Sequence, residues 1–138
     1  MRRPTVCVDL DGVLAKYDKW RGIHHFGEPI VGSKEFVDKI NEFADVLIYT
    51  TRCSNDANRD ETVTVEQLKQ LVKDWLDKYG FKYKDIYTGQ GKPLCSAFVD
   101  DRAIHCNPQQ WLDTTREYDY VLWNIKSLCK HVDAEDSK

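Results

Sequence analysis

The sequence predicts an α/β domain built on a mostly parallel sheet. Two observations carry this. Short β-prone runs alternate with longer segments whose apolar residues recur at helical spacing. Three of the runs also end on a polar residue suited to chemistry: Asp9, Thr50 and Asp100. In open parallel sheets ligands gather beyond the carboxyl ends of the strands, so these three residues are expected to share one rim.

The first run is Thr5-Val6-Cys7-Val8, read as a buried strand ending at Asp9, with Gly12 at the turn that follows. Residues 15–32 are aromatic and broken by Gly22, Gly27, Pro29 and Gly32, the pattern of a structured loop or flap. Ser33 is a candidate N-cap, after which Phe36, Val37, Ile40, Phe43 and Ala44 repeat at helical spacing. Val46-Leu47-Ile48-Tyr49 reads as the second buried strand, ending at Thr50. A polar loop covers 52–61. Thr64 and Gln67 have the spacing of a capping box, opening a helix with Val65, Leu68, Leu71, Val72, Trp75, Leu76 and Tyr79 on one face and Gly80 at its end.

Asp85-Ile86-Tyr87 is a short candidate strand and Ser96-Ala97-Phe98-Val99 a better one, ending at Asp100. Pro108 and Trp111 are expected to open a helical region, continued by a stripe of Tyr118, Val121, Leu122, Ile125, Leu128 and Cys129. The polar tail 131–138 is expected to fray. With no repeat, low-complexity stretch or linker, residues 1–138 read as a single domain.

Bulk composition narrows the function classes. A hydrophobic content of 41% and a charged content of 31% describe an ordinary globule. No apolar run reaches the roughly 18 residues of a membrane helix. The opening residues have no secretory h-region, so a cytoplasmic location is expected. The five cysteines (Cys7, Cys53, Cys95, Cys106, Cys129) lack any CxxC pair, which argues against structural zinc and for reduced thiols. A net charge of −3 argues against a broad basic face for nucleic acid, though not against contact with a single phosphate.

Two acidic pairs dominate the candidate chemistry. Asp9 and Asp11 lie two residues apart just past a strand, and an extended chain would turn both toward one side. Close carboxylates repel unless a proton or a cation intervenes, and magnesium is the common cation beside phosphate. A lone pair of this kind is as well explained by a solvated turn. The second pair, Asp100-Asp101 after Phe98-Val99, is not so easily explained as surface decoration. Between the pairs lie Thr50 and, in the turn Gly89-Gln90-Gly91-Lys92-Pro93, Lys92. A hydroxyl and an ammonium are what the oxygens of a transferring phosphoryl group require.

DLDGVL at 9–14, a strand ending in Thr50, Lys92 followed by proline, and VDD at 99–101 resemble, in order, the four motifs of the haloacid dehalogenase (HAD) superfamily. The resemblance spans residues 5–102 and is nearest to the compact, almost capless phosphatases. It implies a three-layer Rossmann-like fold without a large cap domain, and phosphomonoester hydrolysis. Asp9 would be the nucleophile, forming an aspartyl-phosphate. Asp11 would protonate the leaving oxygen and then activate water. Mg²⁺ would be held by Asp9, the Asp11 backbone carbonyl and Asp100, with Asp101 in support. Thr50 and Lys92 would bind the phosphoryl group, with Thr51 a second choice beside Thr50.

Without room for a cap, the expected substrates are nucleotides, other small phosphate esters, or polynucleotide 3′-phosphate ends. Lys16, Lys19, Arg21, His24 and His25 outnumber Asp18 and Glu28 in the flap, an excess that would attract an anion or simply be solvated. Trp20 and Phe26 read first as packing and second as stacking surfaces for a base. Arg52 and Arg102 read as partners for nearby carboxylates or as substrate contacts. Three competing classes remain: a receiver domain, whose acidic pair, acceptor Asp, Thr and Lys come in a different order; a metal-dependent nuclease, which would not need Thr50 and Lys92; and an inactive HAD-like binding module, against which the intact Asp9/Asp11 pair argues.

Overall fold

The computed structural model describes residues 3–53, 62–89, 91–107 and 114–136. These fall into two compact units, Met1–Asp101 and Arg102–Lys138. The first unit holds a four-stranded, all-parallel sheet: β1 (Thr5–Val8), β2 (Asp45–Ile48), β3 (Asp85–Ile86) and β4 (Ala97–Val99), in the order β3-β2-β1-β4. It is an α/β fold of Rossmann-like type, compatible with the expected three layers and with no large cap among the described residues.

The connections explain the order. Helix α1 (Ser33–Asn41) carries the chain from β1 to β2, and α2 (Val65–Lys78) from β2 to β3, each stepping one strand outward. The chain then returns to pair β4 with the free side of β1. The strand order therefore reverses between β1 and β4, and such a switch point leaves a crevice at the carboxyl ends of the strands.

Period-two alternation decides which face is buried. Val8, Val46, Ile48 and Ile86 form one core with Val37 and Ile40 of α1 and Val72, Trp75 and Leu76 of α2. The capping box forms as expected: Thr64 Oγ1 accepts from Gln67 N–H at 3.2 Å and Gln67 Oε1 from Thr64 N–H at 2.8 Å. Gly80, at φ +77°, ends that helix in the left-handed conformation that costs glycine least.

Several local expectations are corrected. Gly32, not Ser33, caps α1, with φ +88° and no side-chain bond, while Ser33 is the first helical residue and its hydroxyl is buried without a partner. Phe36 and Phe43 are 41% and 63% exposed, because Val37 and Ile40 of α1, with Ala44 just beyond its end, turn to the core instead. The second strand starts at Asp45 and stops before Tyr49.

The second unit holds α3 (Thr114–Asp136), whose backbone stays helical past His131, where fraying was expected. Its run of Ala134, Glu135 and Asp136 contains no helix breaker. Within it, Asn107 N–H donates to the Glu117 carboxylate at 3.2 Å. Pro108 and Trp111 lie outside the described residues, as does most of the 52–61 loop. No helix among the described residues is long and apolar enough to cross a membrane.

The expectation of five reduced thiols also fails. Cys7 and Cys95 form a disulfide, their Cα atoms 6.3 Å apart. The pairing of β4 with β1, in register Val6 to Ala97, brings Cys95 beside a cysteine 88 positions earlier, a proximity no sequence spacing expresses. Cys53, Cys106 and Cys129 are free. Burial pushes the Cys53 thiol up to about 11, which leaves it inert near neutral pH.

Candidate active site

Asp9 and Asp100 sit side by side because of strand register. Val8 pairs with Val99, and Asp9 N–H still donates to the Val99 carbonyl at 2.9 Å, so each strand delivers its next residue to the same rim. Asp101 joins them: carboxylate oxygens of Asp9, Asp100 and Asp101 all lie within 4.8 Å of one another. Of the two acidic pairs, the structure thus brings together Asp9 and both members of the second pair.

Gly12 makes room for the third member. It stands at φ +87°, and a Cβ there would overlap the Asp101 carboxylate. Both the backbone conformation and the space therefore require glycine. If the three carboxylates hold a divalent ion, Gly12→Ala is expected to displace Asp101 and weaken that binding at least tenfold, a loss of about 1.4 kcal/mol, as read by calorimetric titration with Mg²⁺. Unchanged affinity would show that Asp101 has no share in the site.

Crowding of like charge sets the protonation of Asp9. Burial first, then the Asp100 charge, push its carboxyl from 3.8 up to about 8; Asp101 and Asp11 add to the shift, and the Leu10 N–H opposes it at 2.9 Å from Oδ1. Three hard oxygen donors with one partly desolvated suit a small divalent cation.

Asp11 departs from the extended-chain expectation. The chain turns sharply after Leu10, whose carbonyl accepts from Leu14 and Ala15 N–H, both at 2.9 Å, and Leu10 and Leu14 are fully buried. The turn carries the Asp11 carboxylate away from the three-carboxylate group and onto Arg52. Arg52 Nε donates to Asp11 Oδ2 at 2.6 Å and Nη2 to Oδ1 at 3.0 Å, a two-pronged pair with both side chains largely buried. The metal role expected of Asp11 ran through its backbone carbonyl and does not need the side chain.

Thr50 is buried at 6% exposure, and its Oγ1 accepts from Arg52 N–H at 3.2 Å. A single 3₁₀ turn, Thr51–Cys53, follows β2 and is closed by Cys53 N–H donating to the Thr50 carbonyl at 3.3 Å. The Thr50 hydroxyl proton is still available to an incoming oxygen. Thr51 is exposed. Lys92 is also exposed, and its ammonium stands 4.6 Å from the ring centroid of Phe98, on the strand that ends at Asp100. The structure thus gathers Asp9, Asp100 and Asp101, ties Asp11 to Arg52, two residues past Thr50, and sets the Lys92 ammonium against Phe98 of β4.

The flap is anchored at its neck. Lys16 N–H donates to Glu28 O and Ile30 N–H to Leu14 O, both at 2.8 Å, and Trp75 Nε1–H donates to Gly27 O at 3.1 Å. Phe26 packs toward the core and stacks on Trp75, as the packing reading expects; Trp20 remains 44% exposed. Lys16, Tyr17, Asp18, Arg21, His25 and Gly27 line an open hollow of about 310 Å³. Arg21 is not a spare cation, because it pairs with Asp18 at 2.6 Å.

Arg52 and Gly12 are the residues whose importance exceeds their sequence signal. Arg52 reads in sequence as a partner for nearby carboxylates or as a substrate contact, and it does pair with a carboxylate, though the sequence does not say which one. Its partner Asp11 is 41 positions away.

No protein-family model matches this chain, and no curated protein matches it. Among solved structures, it is similar to a conserved protein coded by a locus from Bacteroides thetaiotaomicron, with a TM-score of 0.50 and 19% identity. The match covers 89% of this chain and 93% of that one. At this identity the likeness concerns the fold alone, and it agrees with an α/β chain built on a parallel sheet.

Proposed function

We propose that the chain is a Mg²⁺-dependent phosphomonoester hydrolase of the HAD type, with Asp9 as nucleophile. The observation that carries the proposal is the meeting of the Asp9, Asp100 and Asp101 carboxylates at the switch point of a parallel sheet. Asp9, Asp100 and the Asp11 carbonyl would hold the ion, with Asp101 in support. A bound magnesium would replace the proton on Asp9 and shield the carboxylate from the negative charge of the phosphoryl group.

The remaining roles follow from what each side chain offers. The Asp9 carboxylate attacks phosphorus and becomes an aspartyl-phosphate. Asp11 gives a proton to the departing oxygen, then takes one from the water that hydrolyses the intermediate. The Thr50 hydroxyl donates to a phosphoryl oxygen. Lys92, on an exposed loop, brings its charge to the transferring group as the substrate docks. Thr51 is a second donor on the same turn.

A site without a large cap suits small phosphate esters, nucleotides and polynucleotide 3′-phosphate ends. Phosphate release from a panel of these classes, with Mg²⁺ or with EDTA, tests the proposal. Release from at least one class that requires Mg²⁺ is the expected result. No release from any class would favour a non-catalytic binding module, and cleavage of phosphodiesters alone would favour a nuclease.

A further inference from the structure

Arg52 makes contacts that its place beside Thr50 does not explain. Its side chain is only 5% exposed. One edge of the guanidinium grips both oxygens of Asp11. The same Nη2 also donates to the His25 carbonyl at 2.8 Å. Phe26 and Trp20 stand against the guanidinium, its central carbon 4.0 and 5.0 Å from their ring centroids. Every contact in this second set comes from the flap.

Nη1, by contrast, is buried with no hydrogen-bond partner. A buried guanidinium with an orphaned donor costs stability, and an apolar side chain would fill the same space more cheaply. The arginine is therefore better explained by what it does to Asp11 than by what it adds to the core.

We infer that Arg52 is a positioning residue that makes the orientation of Asp11 depend on the seating of the flap, and this inference rests on the phosphatase reading. Two parallel hydrogen bonds fix the plane of a carboxyl group, where one fixes only a point. The guanidinium that makes them is itself fixed by His25, Phe26 and Trp20. When the flap lifts, the arginine loses its clamp, and Asp11 loses its alignment with the leaving oxygen. Chemistry is thus gated by the flap, although the flap supplies no catalytic group.

The proton balance is explicit. In the first step the Asp9 oxygen bonds to phosphorus as the ester P–O bond breaks, and a proton carried on the second lone pair of an Asp11 oxygen, whose first lone pair accepts from Arg52, passes to the departing oxygen. In the second, water attacks phosphorus and loses a proton to Asp11 as the Asp9–phosphorus bond breaks. Misalignment of Asp11 harms the first step most where the leaving group needs the proton.

The test compares kcat/KM for an alkyl phosphomonoester, whose alkoxide leaves poorly, with that for an aryl ester of an acidic phenol, which leaves unaided. Arg52→Met is expected to lower the alkyl-to-aryl ratio about a hundredfold, the lower end of what general acid catalysis contributes. Arg52→Lys should not restore it, since an ammonium cannot grip both oxygens in a fixed plane. Trp20→Ala, at a half-exposed position that leaves the core intact, should lower the ratio in the same direction. In an Asp11→Asn background, the Arg52 substitution should leave the ratio where it is.

Equal losses on both esters, or a rise in KM alone, would overturn the inference and leave the phosphatase reading standing. Should Arg52→Met fail to fold, the Trp20→Ala ratio decides: a fall supports the coupling and an unmoved ratio refutes it. If the wild-type protein hydrolysed neither ester, the phosphatase reading would fall and this inference with it.

Discussion

Asp9→Asn is expected to lower turnover at least ~10³-fold with the fold retained, since removal of a nucleophile from a cooperating set abolishes nearly all of its catalysis. The amide matches the carboxylate in shape but cannot attack phosphorus, and it removes one oxygen donor from the group with Asp100 and Asp101. The substitution also removes a burden. Burial is the largest force on the Asp9 proton, and the carboxylates of Asp100, Asp101 and Asp11 raise its cost of ionisation further. The variant is therefore expected to melt higher than the wild type in EDTA near pH 8, while losing activity. Phosphate release and melting curves on the same preparation check both halves. Activity above a few per cent of wild type, in protein free of wild-type contamination, would remove Asp9 from the role of nucleophile.

The second large effect is a pH-dependent stability that magnesium reverses. In the metal-free protein Asp9 keeps its proton up to about pH 8, against 3.8 in the absence of these neighbours. Between those values the unfolded chain binds fewer protons than the folded one, so stability falls as pH rises through the window. Below it, the Asp9 penalty is absent. Magnesium should counter the loss most strongly at the upper end, where it no longer competes with a proton. At a hundredfold excess over Kd the stabilisation is about 2.7 kcal/mol, equivalent to a rise in Tm of roughly 10 °C for a chain of this size. Melting temperatures from pH 5 to 8, with EDTA or Mg²⁺, should diverge as pH rises. Parallel curves would show that Asp9 is not the group at which the ion and the proton compete.

Where the sequence speaks through local chemistry, it speaks clearly. The strand before Asp9 and the one before Asp100 announce themselves as apolar runs ending on acid, and Thr64 with Gln67 announces the start of α2. The meeting of Asp9 with Asp100 follows once the parallel sheet is assumed, because both lie one residue past paired strand ends.

Features that depend on distant partners stay hidden. The grip of Arg52 on Asp11 joins residues 41 apart, and the Cys7–Cys95 bond joins residues 88 apart. The extended-chain rule misplaces Asp11 because Gly12 bends the backbone immediately after it. In α1 and the turn after it the apolar pattern is wide enough to include Phe36 and Phe43, and only the packing of Val37 and Ile40 against the sheet decides which side faces in. Gly32 is missed as a cap because its left-handed φ offers no side chain to recognise.

The central claim is a covalent intermediate on one carboxylate, and borohydride trapping addresses it directly. An acyl phosphate is reduced by borohydride to the alcohol, which converts the attacked aspartate to homoserine. The protein is quenched during turnover with Mg²⁺ and a hydrolysed phosphomonoester, reduced, digested and mapped by mass spectrometry. The account predicts homoserine at position 9, in a yield that vanishes without substrate or with EDTA. Homoserine at Asp11, Asp100 or Asp101 instead, or intact aspartate at all four positions while phosphate is still released, would contradict it.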